Sequence, residues 1–317
     1  MFFLISNDMF AFKDKLLVLY FYFCGFSMIN EISEKVKVSI FVVCYNHENF
    51  IQKAMNGIAS QDTNFDYEVL IYDDLSSDNT RNIIDNFIDF ENENSRCTFK
   101  KIYADENQYS KGITMSSLII PMAKGEFIAF CEGDDYWFDN NKLQKQYDLL
   151  KNNLSINISF HPSLTLYGDV LKDSNYGYLG DKVRIIDYQD IVLKGGSMMP
   201  MASIMCRKKA LLDIISKNEE FFKKNLYHSI LQTIMVLGRG ALYIPDKMSV
   251  YRSMHEGSWS LQQKLDKGKR KQELIAFNKR LWTLNKIYNN KYFVLFAKLF
   301  YKRNVKFYKD KLKSIYK

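Results

Sequence analysis

The sequence predicts an α/β domain built on a mostly parallel sheet and followed by a basic helical extension. Three observations carry this expectation. Strand and helix patterns alternate four times between residues 36 and 150. The first strand stretch, 38–43, is a continuous apolar run rich in β-branched residues, the pattern of a strand covered on both faces. Charge is also segregated. Residues 264–317 hold 17 Lys and Arg against 3 Asp and Glu, a net +14, so the rest of the chain carries −6 of the overall +8.

The elements follow in order. Residues 38–43 (V-S-I-F-V-V) read as a buried parallel strand, broken by Cys44-Tyr45-Asn46-His47. Phe50, Ile51, Ala54, Met55 and Ile58 then recur at helical spacing. Residues 67–72 (Y-E-V-L-I-Y) form a second strand, and Asp73-Asp74-Leu75-Ser76-Ser77-Asp78 suits a turn and a helix N-cap. Ile83, Ile84, Phe87 and Ile88 mark the helix after it. Residues 98–103 are a third strand, and 113–123 a helix stopped by Lys124-Gly125. Residues 127–131 (F-I-A-F-C) are a fourth strand, ending at Glu132-Gly133-Asp134-Asp135-Tyr136-Trp137, with a helix over 141–151. Beyond residue 156 the pattern weakens. Strands are expected at 156–160, 203–206, 241–244 and 249–252, and one helix at 222–237. From Gln262 onward, Leu265, Leu274, Phe277, Leu281, Leu284 and Ile287 suggest amphipathic helix, and 292–301 is aromatic with flanking lysines. The chain therefore divides into an N-terminal extension (1–35), two halves of one domain (36–150 and 151–260) and a basic tail (261–317).

Composition narrows the class. With 47% hydrophobic and 25% charged residues over 317 positions, the chain is neither disordered, collagen-like nor a disulfide scaffold. Cys24, Cys44, Cys97, Cys131 and Cys206 are odd in number and lack C-x-x-C spacing, which fits buried free thiols in a reducing compartment. Residues 16–28 form an uncharged run of 13, shorter than the roughly 20 residues of a membrane span. Three readings of it stay open: a start extended beyond the natural one, a membrane-surface anchor, or a signal peptide.

Function is signalled where acidic clusters directly follow two strands, at Asp73-Asp74 and Asp134-Asp135, because ligands of such sheets bind at the carboxyl ends of strands. Adjacent carboxylates there bind a divalent cation, act as acid and base, or cap a helix. The chain has no G-x-G-x-x-G and no G-x-x-x-x-G-K-[ST], so a nucleotide site would need a metal to neutralise phosphate charge.

Four segments together resemble the family 2 glycosyltransferases: V-S-I-F-V-V-C-Y-N-H-E-N-F-I at 38–51, I-Y-D-D-L-S-S-D-N-T at 71–80, A-K-G-E-F-I-A-F at 123–130 and E-G-D-D-Y-W at 132–137. A fainter likeness covers 195–260, with S-V-Y-R-S-M-H-E-G-S-W-S as its closing segment. The resemblance implies a GT-A fold and an inverting, metal-dependent transfer from a nucleotide-sugar, here a UDP-sugar with Mg²⁺ or Mn²⁺. It implies roles residue by residue. Tyr45 stacks on the base, and Asp74 accepts from the uracil N3–H. Asp134 approaches the ribose or sugar, and Asp135 ligates the metal. Asp73 and Asp78 are left to structure and capping, and Trp137 to either packing or an acceptor wall. The family's general base is an Asp or Glu in the second half. An ungapped count back from Tyr243-Ile244 lands on His228 instead, with Glu219 and Glu220 as rival carboxylates. His255 joins the metal or the diphosphate, or makes a loop hydrogen bond. Lys111 lies near the donor phosphates. His47 and His161 are read as structural or acceptor-side.

The basic tail, with Phe277, Trp282, Tyr288, Tyr292, Phe293, Phe296, Phe300 and Tyr301 among its cations, fits an anionic membrane surface or a helical appendage and carries no nucleic-acid signature. The expected setting is the cytoplasm, peripheral to the inner face of a bacterial plasma membrane, acting on a glycan or lipid-linked acceptor, with oligomerisation open. Two rivals remain. A nucleotidyltransferase would want a Gly-rich loop after the first strand. A donor-binding scaffold of a glycan assembly complex would have lost turnover, with His228 as the mark of that loss.

Overall fold

The computed structural model describes residues 36–91, 97–195, 198–255 and 257–313. The 16–28 segment and Cys24 lie outside the described residues.

The first half builds as the sequence predicts. Strand β1 (Val36–Cys44) leads to α1 (Ile51–Ala59), β2 (Asp66–Asp73), α2 (Thr80–Glu91) and β3 (Cys97–Tyr103). After a loop come α3 (Met115–Ile119), β4 (Phe127–Glu132), the short β5 (Tyr136–Trp137) and α4 (Lys142–Asn152). The helix expected over 113–123 is shorter: Pro121 has no amide to donate, and the chain finishes as a 3₁₀ turn over Ile120–Met122. Gly125 is not its cap. The residue sits against β1, where its amide donates to Ser39 Oγ at 2.8 Å.

The second half is built of short pieces. They are β6 (Ile158–Phe160), β7 (Ser163–Tyr167), β8 (Val170–Tyr176), β9 (Arg184–Ile186), α5 (Tyr188–Lys194), β10 (Met205–Arg207), α6 (Lys208–Ile215), α7 (Glu219–Asn225), α8 (His228–Val236), β11 (Ala241–Tyr243) and β12 (Ser249–Ser253). The single helix expected over 222–237 is two. Tyr227 is extended (φ −76°, ψ 164°) and separates α7 from α8, which places His228 at the first residue of α8.

The main sheet runs β3-β2-β1-β4-β10-β6-β11-β9. Strands β3, β2, β1 and β4 are mutually parallel, and β10 runs antiparallel between β4 and β6. Strand order reverses between β1 and β4, so the crevice at their carboxyl ends is the natural ligand position. A second sheet, β5-β12-β7-β8, carries the late strand β12 back to β5, directly after the acidic turn.

Side chains of β1 alternate between two cores. Val38, Ile40 and Val42 pack with Ile51, Met55, Ile58 and Ile84 of α1 and α2. Phe41 faces the other way, into a core shared with Phe130, Phe160 and Ile234. Three helices end the chain: α9 (Trp259–Leu265), α10 (Lys267–Ile287) and α11 (Phe293–Lys313). The tail is less separate than its charge suggests. Phe277, Leu281, Leu284, Phe296 and Leu299 belong to the same core as Phe41. Among the described residues no helix is long and apolar enough to cross a membrane. Cys44, Cys97, Cys131 and Cys206 are buried thiols in no disulfide, as expected.

Candidate functional site

The ends of β1, β2 and β4 bring the predicted donor-side residues together. Tyr45 follows the last residue of β1 and is half exposed, its ring open at the crevice. Asn46 takes φ 55°, and its side-chain oxygen accepts the Ser77 amide at 2.8 Å. This ties the turn after β1 to the turn after β2.

Asp73 and Asp74 are both buried and take different partners. Asp73 is fully buried, bonded to Arg81 Nε at 2.5 Å and to the Ser76 amide at 3.0 Å, a structural role. Asp78 accepts the Thr80 amide at 3.0 Å and the Glu48 amide at 3.0 Å, so it caps α2 and holds the opposite turn. Asp74 is also buried, and its two oxygens accept the amides of Gln108 (2.8 Å) and Tyr109 (3.0 Å). The carboxylate therefore pins the 104–112 loop over the end of β2. Each oxygen keeps a second lone pair, the only capacity left for a base N–H. Lys111 projects from this loop, exposed and ion-paired with Glu106.

The acidic turn after β4 is the centre of the site. Glu132, Asp134 and Asp135 each offer an oxygen within 4.8 Å of the others. Asp135 is buried. Its Oδ1 accepts the Arg252 amide of β12 at 2.8 Å, and its Oδ2 is buried with no hydrogen-bond partner. Burial and the neighbouring Asp134 charge push its carboxyl well above the usual range. A buried, unpartnered carboxylate oxygen beside two further carboxylates is costly as an anion unless a proton or a cation joins it. Hard oxygen donors of this kind suit Mg²⁺ or Mn²⁺, so the residues fit the metal the sequence implies.

His255 reaches this cluster through Asp134, with Nε2 2.9 Å from Oδ2. Burial opposes ionisation of Asp134, but the His255 hydrogen bond and the nearby His47 and His255 charges hold its carboxyl below the ordinary value. Phe50 braces the imidazole, with ring centroids 4.7 Å apart, and Arg252 lies over Phe50 at 4.4 Å while its Nε donates to the Asp134 carbonyl at 3.0 Å. Gly133 is required here. A Cβ would stand 2.7 Å from His47 Nδ1 and 2.8 Å from Cys44 Cβ. His47 thus packs beneath the turn, and burial lowers its pKa.

His228 stands across the crevice, half exposed, with Nε2 3.2 Å from Glu132 Oε1. The surrounding protein disfavours a charged ring, but the charge and hydrogen bond of Glu132 outweigh that and raise its pKa. The rival carboxylates Glu219 and Glu220 sit in the first turn of α7. Trp137 is buried and donates its indole N–H to the Ala202 carbonyl at 2.8 Å, which settles it as packing. His161 is buried against the Pro162 carbonyl (2.8 Å), also structural.

Two participants were not foreseen in a site role, Glu132 and Arg252. The E-G-D-D spacing carried the signal for the first. The second had only its place in the V-Y-R-S-M-H segment, and its contact to Asp135 spans 117 residues.

Comparison with known proteins agrees with this geometry. The family model described as Glycosyl transferase family 2 matches residues 39–190. An uncharacterized protein of Mycobacterium tuberculosis is 30% identical over 222 residues, covering 70% of this chain and 60% of that protein. The UDP-Glc:alpha-D-GlcNAc-diphosphoundecaprenol beta-1,3-glucosyltransferase WfgD of Escherichia coli is 37% identical over 120 residues, covering 37% of this chain and 43% of that protein. The chain spans about 60% of the length of the curated relatives it matches over the longest stretch. Among solved structures, Staphylococcus aureus TarS in complex with UDP-GlcNAc aligns with a TM-score of 0.57 at 15% identity, covering 78% of this chain and 66% of that one. The mannosyltransferase PcManGT of Pyrobaculum calidifontis, in complex with GDP-Man and Mn²⁺, aligns at 0.54 and 11% identity, covering 84% and 69%. At these identities the structural likeness speaks for the fold, which is GT-A. The four motifs, the parallel sheet with its acidic turn, and the match of the family model place residues 39–190 in glycosyl transferase family 2.

Proposed function

We propose that the chain moves a sugar from a UDP-sugar to a hydroxyl of a glycan or lipid-linked acceptor, with inversion at the anomeric carbon. One observation carries the reading. The Glu132-Gly133-Asp134-Asp135 turn puts three carboxylates at a strand-order reversal, with Asp135 Oδ2 buried and unpartnered, and sets a histidine 3.2 Å from Glu132 across the crevice. The relatives named above support the donor class: WfgD is named for UDP-Glc, and TarS was solved with UDP-GlcNAc.

The residues take these roles. The Tyr45 ring stacks on the uracil, and Asp74 accepts from its N3–H. Asp135, with Asp134, would hold Mg²⁺ or Mn²⁺, and His255 orients Asp134. A bound divalent cation supplies positive charge for the departing diphosphate. Lys111, once released from Glu106, adds a second positive charge on the phosphate side. His228 is the base. With Nε2–H donated to Glu132, the lone pair stays on Nδ1, and Nδ1 takes the proton of the acceptor hydroxyl as it attacks. The hydroxyl approaches from the face opposite the diphosphate, which gives inversion. The enzyme works in the cytoplasm, peripheral to the inner face of the plasma membrane.

The test is UDP release from a panel of UDP-sugars with Mn²⁺, on wild type, His228→Ala and His228→Asp. The account expects turnover in wild type and a loss of about 10²–10⁴-fold in His228→Ala. It expects part of that loss to be restored in His228→Asp, whose carboxylate is the family's usual base. Equal turnover in all three proteins would remove His228 from the mechanism. UDP binding without turnover for any donor and acceptor would favour the scaffold reading.

A further inference from the structure

One surface is used neither by the core nor by the donor site: the outward side of α11. Its inward side is committed. Leu295, Phe296 and Leu299 are buried in the main core, and Arg303 donates to the Gly195 carbonyl at 3.1 Å with its guanidinium over Phe277 at 3.8 Å. On the outward side, at about 100° per residue, Val294, Tyr301, Val305 and Tyr308 fall within an arc of roughly 60°. Tyr301 is 70% exposed, Val294 65% and Tyr308 57%. Lys298, Lys302 and Lys309 flank this stripe along its length, all exposed. The tail's ion pairs among the described residues are Arg270–Asp310 and Arg280–Glu273, so these three lysines are left without an acidic partner there.

We propose that this face lies on an anionic lipid surface, with Val294, Tyr301, Val305 and Tyr308 seated in the headgroup region and Lys298, Lys302 and Lys309 against lipid phosphates. A helix with an apolar centre, Tyr at its rim and lysines beside it has the composition of an interfacial helix. Charge selects the lipid. The tail is net +14 within a body of −6, so attraction to an anionic surface turns this end of the molecule toward it. A second copy meeting the same face would bring like charges together across the joint. A nucleic acid would use the lysines but leave the apolar stripe without a partner. The inference depends on neither the donor nor the base assignment.

The test is co-flotation of the full chain with vesicles of phosphatidylcholine alone and of phosphatidylcholine mixed with phosphatidylglycerol. Wild type is compared with Lys298→Gln/Lys302→Gln/Lys309→Gln and with Tyr301→Ser/Val305→Ser. Lys298, Tyr301, Lys302 and Lys309 are exposed and Val305 is half-buried, so folding should be preserved, and far-UV circular dichroism checks it. The expected result is binding to the anionic vesicles only, with about a hundredfold loss in the triple variant and a clear loss in the double. A Tyr301→Trp reporter in wild-type background is expected to shift its emission to the blue on anionic vesicles, which localises contact to this face. Equal partitioning of all proteins, binding to neutral vesicles alone, or an unshifted reporter overturns the proposal. So does duplex DNA binding or dimerisation that the lysine substitutions abolish while vesicle binding is absent.

Discussion

Lys142 shows how far one buried charge shapes this molecule. It is fully buried, with Nζ 3.7 Å from the centre of the Trp137 ring and 2.7 Å from Gln146 Oε1. Burial pulls its pKa down to about 7. Unfolded, the amine holds its proton up to about pH 10.4. Between those values the unfolded chain binds more protons, so stability rises with pH. In denaturation at pH 7 and about 8.5, the change in stability with pH should be more positive in wild type than in Lys142→Met. The variant is the needed reference, because over this range the unfolded thiols begin to ionise while desolvation keeps those of Cys44 and Cys131 protonated in the folded chain, which lowers stability with rising pH in both proteins. At this scale the site was partly legible. Tyr45, Asp74, Asp134 and Asp135 announced themselves because each sits at a strand end within a short motif. The Glu132–His228 pairing and the Arg252 hold on Asp135 were hidden, because both join chain segments whose approach only the folded sheet decides.

Among elements, the contact between β4's approach and β1 is the most demanding. A Cβ on Gly125 would stand 2.5 Å from the Ser39 amide nitrogen and 2.6 Å from the Val38 carbonyl carbon. The Val38–Ser39 peptide bond is strand backbone and cannot yield as a side chain would, so Gly125→Ala should cost about 3 kcal/mol or more in urea denaturation. Gly112 makes the contrast. It has φ +72° and nothing within 4 Å of its Cβ position, so Gly112→Ala should cost only about 1 kcal/mol. The glycine of A-K-G-E is thus explained by close packing where the sequence suggested a helix stop. Strands β1, β2 and β4 were readable because each is a long, mostly apolar run buried on both faces, whereas β3 is the sheet edge and is partly exposed. Strands β6, β10 and β11 span three residues each and mix parallel with antiparallel pairing, so their own sequences are too short to specify them. The β8 edge is exposed along almost its whole length and has no apolar run to betray it.

For the whole molecule, the tail is where charge counting and packing disagree. Its +14 suggests a separate appendage, yet Phe277 and Phe296 are fully or nearly fully buried with the sheet's own Phe41 and Phe130. Arg280 of α10 lies over the Tyr227 ring at 4.5 Å, one residue before His228, so the tail also supports the wall that carries the proposed base. Phe277→Ala should therefore destabilise the whole chain by about 3–5 kcal/mol in a single cooperative transition, and not release the tail alone. A separate low-temperature step for the tail would argue for an independent appendage. The central claim is that the acidic turn is a metal-assisted diphosphate site, and it is tested most directly by calorimetric titration of UDP into wild type and Asp135→Asn, with and without Mn²⁺. The account predicts that Mn²⁺ strongly tightens UDP binding to wild type and has no effect on the folded variant. UDP affinity that is the same in both proteins and indifferent to Mn²⁺ would contradict it.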